Sequence, residues 1–111
     1  MVEVFLDPGR LRHRLMLEAP VAAADGLGGH LVTWVEIATV DALVEPRSES
    51  SRFGADQTRE ETTHRVTLRH RPDVASGSRF RFGARILEIV TVHDPDESGR
   101  YLVCRTREKG A

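Results

Sequence analysis

Aromatic side chains are scarce. One Trp, one Tyr and four Phe make up 5% of the 111 residues, so a core has to be assembled mainly from Val, Leu and Ile, which favour strands. Cysteine is scarcer still. Cys104 stands alone, which excludes an internal disulfide, and its place in an apolar run reads as a buried free thiol. No apolar run reaches the ~20 residues of a membrane-crossing helix, and the stretch 1–7 lacks the basic n-region and full h-region of a secretory signal. The expectation is a protein made in the cytosol without a membrane anchor. Neither sign of charge prevails: 16 Lys and Arg against 17 Asp and Glu leave a net charge of −1, which argues against a protein that lives by coating nucleic acid.

Motifs that carry chemistry are missing as well. No nucleophile elbow surrounds Cys104 or a serine, and no glycine-rich phosphate loop opens a helix. The five histidines, His13, His30, His64, His70 and His93, follow no metal-binding spacing. His64 and His70 share a strand face, but extended chain holds them about 20 Å apart, beyond a common metal shell. Asp94, Asp96 and Glu97 lack the spaced ligands and central glycine of a calcium loop and read as a turn. The chain is therefore expected to be no enzyme and to hold no cofactor and no metal.

What is present is alternation, in a chain whose length fits one domain, 1–111. Over 10–18, Leu11, His13, Leu15 and Leu17 alternate with Arg12, Arg14, Met16 and Glu18, a half-buried strand that Ala19-Pro20 ends. Asp25-Gly26-Leu27-Gly28-Gly29 predicts a hairpin loop. The stretch 30–46 predicts a long strand with a bend near Ala38, stopped by Pro46. The stretch 62–92 reads as a β-meander: a strand over 64–70, a break at Arg71-Pro72-Asp73, a short strand carrying Phe80 and Phe82, a tight turn at Gly83-Ala84, and a strand over 85–92. A last strand over 100–107 puts Leu102 and Cys104 on one face. The fold class expected is all-β, a small antiparallel barrel or sandwich-like domain, because closing or packing sheets removes exposed edges.

Two stretches stand apart. Residues 47–61 are mostly polar, with only Phe53 clearly apolar, and read as a long loop, a functional or disordered connector, with a weakly amphipathic helix over 54–61 as its alternative. Arg65, Arg69, Arg71, Arg79, Arg81 and Arg85 form a cluster that reads either as a solvated face or as a surface tracking a phosphate backbone, as in an OB-fold.

The ordered set of motifs resembles the phage head–tail joining proteins, also called head–tail adaptor or head-closure stopper proteins, of long-tailed phages and gene transfer particles. The matching pieces are Gly9-Arg10-Leu11-Arg12-His13-Arg14-Leu15, Asp25-Gly26-Leu27-Gly28-Gly29 before Trp34-Val35, and Ala38-Thr39-Val40 leading to Val44-Glu45-Pro46. Thr63 through Arg69, Arg71-Pro72-Asp73-Val74, and Gly83-Ala84-Arg85 before Ile86-Leu87-Glu88-Ile89 follow. Asp41 and His70 stand where the family often has an aromatic, and Ala84 where it often has glycine.

The resemblance implies a structural virion protein at the head–tail junction: a sixfold or twelvefold homo-oligomeric ring beneath the portal or adaptor ring. It would hold packaged DNA without sequence specificity, dock a tail-completion or tail-tube protein, and have no membrane role. The polar loop is then expected to reach the channel, with Arg52, Phe53, Asp56, Gln57, Arg59, Glu60 and Glu61 as channel and oligomer-contact residues. The alternatives are a neighbouring adaptor or tail-completion protein of the same connector, or an OB-like domain that binds single-stranded nucleic acid.

Overall fold

Six antiparallel strands follow a 3-10 turn at Pro8–Arg10 in the computed structural model, which describes residues 8–53 and 58–109, the backbone alone for 8, 49–53 and 58–60. They are β1 (His13–Ala24), β2 (His30–Phe53), β3 (Thr58–Arg69), β4 (Arg79–Phe82), β5 (Arg85–His93) and β6 (Tyr101–Lys109). The order β1-β2-β3-β6-β5-β4 closes on itself as a barrel. Alternate residues point inward from every strand: Leu15 and Leu17, Val40 and Ala42, Val66 and Leu68, Phe80, Leu87 and Ile89, Leu102 and Cys104, each 6% exposed or less. As the composition requires, this core is aliphatic around one fully buried ring, that of Phe80. Burial pushes the Cys104 thiol up to about 12.

The stretch 62–92 is not a meander. β3 lies between β2 and β6, whereas β4 lies between β1 and β5, so the two sit on opposite sides of the barrel. The connector 70–78 is too long for a tight hairpin and joins opposite sides of the barrel, with its own Val74 buried in the core. It is sewn down on the way: His70 N donates to Arg100 O, Gly77 N to Ile89 O, and Ser76 Oγ to Val90 O, the residue skipped where the β5–β6 register shifts. Only β4 and β5 form the expected tight hairpin, turning at Gly83-Ala84 with Gly83 at a φ of 61°.

Strand ends differ from expectation in two places. β1 does not stop at Ala19-Pro20 but runs on to Ala24, with Pro20 opposite Trp34. No described strand pairs with the outer edge of 19–24, so the missing proline N–H breaks no ladder. Likewise β2 does not stop at Pro46; it continues to Phe53 and pairs with β3 from Thr58, where a loop or helix was expected. Pro46 falls at a register irregularity, which tolerates a residue without a donor.

β2 bends. Its 24 residues would span ~80 Å if straight, yet the molecule's longest dimension is 51 Å. Its register slips twice, at Ile37, which has no β1 partner between Glu36 and Ala38, and between Pro46 and Glu49, and such irregularities bend a strand. The bend expected near Ala38 is thus a bulge.

Candidate functional site

Both ends of β2 leave the barrel as two-stranded arms. The first arm pairs 19–24 with 30–35. Its turn is built as the sequence suggests: the Asp25 carboxylate accepts from Leu27 N at 2.7 Å and Gly29 N at 3.0 Å, with Gly26 and Gly28 at positive φ. Register puts Ala19, Val21, Ala23, Leu31, Thr33 and Val35 on one face and Pro20, Ala22, Ala24, His30, Val32 and Trp34 on the other. The arm is open to water: Val21 is 45% exposed, Leu31 59%, Val32 60%, Val35 45%, and Leu27 at the tip 91%.

An ionic clamp fixes the base of this arm. Glu18 and Glu36 stand directly opposite each other, a repulsive pairing on its own. β4 supplies the remedy: Arg79 Nε donates to Glu18 Oε1 at 2.7 Å, Arg81 reaches Glu18 Oε2 at 3.1 Å, and Arg81 reaches Glu36 Oε2 at 2.9 Å. Glu18 is thereby buried to 2% exposure, and the Arg79 guanidinium also lies 4.0 Å over the Trp34 ring.

The second arm pairs 49–53 with 58–62 and gathers most of the residues expected at the channel. Its register sets Ser50 opposite Glu61, Ser51 opposite Glu60, Arg52 opposite Arg59, and Phe53 opposite Thr58. Arg52, Phe53, Arg59, Glu60 and Glu61 are therefore on one hairpin, while Asp56 and Gln57 lie outside the described residues. Its base is clamped too. Arg85 donates to Glu108 through Nε at 2.7 Å and Nη2 at 3.1 Å and sits 3.2 Å from His64 Nε2; Glu108 N donates to Thr63 Oγ1 at 2.8 Å. The Arg85 hydrogen bond holds the Glu108 carboxyl below the usual carboxylate range. Buried Thr106 donates to His64 O at 2.9 Å and ties β6 to the same point.

The arginine cluster does not form a phosphate-tracking stripe. Arg71 is bidentate to Asp73, Arg79 and Arg81 hold Glu18, and Arg85 holds Glu108, so four of the six are spent in ion pairs. The sequence reading missed the first arm as a surface. Its signal was available: Asp25 is the only acidic or basic residue, His30 aside, between Ala19 and Val35, in a chain that is 30% charged.

The family model for phage head completion proteins matches residues 6–109. The chain belongs to this family. A chain from the virion of a native gene transfer agent particle is similar to it, with 31% identity over 90% of this chain and 96% of that one and a TM-score of 0.64. The solution structure of protein SF1141 from Shigella flexneri 2a is similar at 25% identity, over 95% of this chain and 98% of that one, with a TM-score of 0.67. No curated protein sequence matches. As a head completion protein the chain is a structural component of a phage or phage-like virion, serving the head–tail connector alongside other virion components. No helix among the described residues is long and apolar enough to cross a membrane.

Proposed function

We propose that this head completion protein forms a homo-oligomeric ring, sixfold or twelvefold, beneath the portal or adaptor ring, where it closes the DNA channel and offers the tail its docking surface. The observation that supports the reading is the second arm, a hairpin of polar sequence that extends β2 and β3 beyond the barrel whose described core residues lie elsewhere. A head-to-tail ring gives each copy two different neighbours and brings one such hairpin per copy toward the axis. There the mixed charges of Arg52, Asp56, Arg59, Glu60 and Glu61, with Phe53 and Gln57, order against the same residues of adjacent copies and obstruct the channel without reading sequence. Packaged DNA meets the ring as a polyanion. The tail-completion or tail-tube protein docks on the opposite side from the portal.

Deleting 50–59 tests this. The core formed by the described residues lies outside the deleted stretch, so the barrel should keep its strand signal by circular dichroism. Electron microscopy of particles carrying the deletion should show heads that have lost DNA. Filled, tailed particles in wild-type numbers refute the closure role.

A further inference from the structure

Apolar side chains stand on the outside of the barrel wall as well as inside it. Val44, Val66 and Cys104 pack into the core, so the residues flanking each of them face outward. Register lays these side by side across β2, β3 and β6 in two rows, Leu43, Thr67 and Val103 in one and Glu45, Arg65 and Arg105 in the next. With Arg10, His93 and Pro95 they line a groove of about 350 Å³, at the small end of the ~300–1,000 Å³ range of ligand pockets. Its described lining is half basic and half apolar: three arginines against the one carboxylate of Glu45, beside Leu43, Val103 and Pro95. A phosphate backbone matches the arginines and leaves the apolar row unused. A segment that mixes carboxylates with apolar side chains uses both.

The chain carries such a segment next to the groove. Residues 1–7 lie outside the described residues, but the sequence Val2-Glu3-Val4-Phe5-Leu6-Asp7 brings four large apolar side chains and two carboxylates without a cation. Connectivity keeps it close. Arg10 lines the groove, and extended chain advances at most ~3.6 Å per residue, so Asp7 stands within about 11 Å of Arg10. A tether this short gives the segment an effective concentration on the order of millimolar, which any segment from another molecule has to outcompete. We propose that the segment 2–7 lies in this groove of its own barrel, its carboxylates toward Arg65 and Arg105 and its apolar side chains against Leu43, Val103 and Pro95. So held, it closes the β2–β3–β6 wall to other acidic partners, in the free protein as in any assembly.

The test attaches a nitroxide spin label to Val2→Cys in the full chain and reads the amide signals of the isotope-labelled protein by NMR. Cys104 is buried, so the label goes to the introduced thiol. The amide signals of Leu43, Thr67 and Val103 should be lost and should return when the nitroxide is reduced, while those of Arg79 and Arg81 on β4, across the barrel, persist. In an E3K/D7K background the three groove signals should persist as well. A loss spread evenly over the barrel, or no loss in a dispersed, folded spectrum, overturns the proposal, and so does a loss that E3K/D7K leaves unchanged. Mixing isotope-labelled wild type with spin-labelled protein of natural isotope abundance separates the copies. The three signals should stay in that mixture; their loss means that the groove takes the segment of another molecule, which also overturns the proposal.

Discussion

Arg79→Met removes the guanidinium from the clamp and keeps an apolar stem against Trp34. Glu18 then loses its 2.7 Å donor in a site 2% exposed, and Arg81 is left to serve both Glu18 and the opposing Glu36. Stripping the partner from a buried charge costs about 3–5 kcal/mol when nothing replaces it. The remaining Arg81 contact reduces that, and the lost cation–π contact adds about 1 kcal/mol, so the expected destabilisation is about 2–4 kcal/mol. For a domain of this size that corresponds to a Tm lowered by about 8–16 °C. Urea unfolding followed by circular dichroism, two-state at this length, measures it directly. The double variant E18M/R79M supplies the internal check, because replacing a buried ion pair with apolar side chains is often close to neutral, so the double should be more stable than R79M alone. An R79M stability within about 0.5 kcal/mol of wild type, or a double variant less stable than R79M, would show that the clamp does not hold the arm.

Three further outcomes follow from the same geometry. Phe80→Ala empties the centre of the barrel and should cost about 3–5 kcal/mol, read as a lower urea midpoint at unchanged m-value. Because the Cys104 thiol is raised from 9.0 to about 12, folding favours the protonated form; stability from this group is complete below pH 9 and is lost as pH rises toward 12, with a slope of up to about 1.4 kcal/mol per pH unit. Comparing wild type with Cys104→Ala isolates that slope, and equal alkaline limbs would contradict it. Glu108 is lowered by its bond to Arg85, so its contribution is present above the ordinary carboxylate range and disappears as pH falls below it. Thermal melts from pH 5 down to pH 3 should therefore show a shallower acid limb for Glu108→Gln than for wild type.

The sequence was most informative where a strand has one wet face. Leu15 and Leu17, Val66 and Leu68, and Leu102 and Cys104 show the period-two pattern and occupy the barrel interior. Turns with glycine chemistry, 25–29 and Gly83-Ala84, were equally plain. Pairing order was not, because the choice of β6 over β4 as neighbour of β3 depends on contacts between residues far apart in the chain. Pro20 and Pro46 misled for a different reason: proline ends a ladder only where its N–H is needed, and both sit where it is not. The second arm defeated pattern reading because 47–61 shows no alternation of apolar and polar residues, and the pairing that forms it is recorded only in the backbone register. The first arm was recognised as a hairpin, but its exposure depends on how far the barrel reaches up β1 and β2, which no local pattern records.

β2 belongs to both arms and to the barrel wall between them. The chain therefore passes from one arm through the barrel wall to the other without a loop, so a change in the register of β2 at either arm would have to be absorbed where its ladder is already interrupted, at Ile37 and between Pro46 and Glu49.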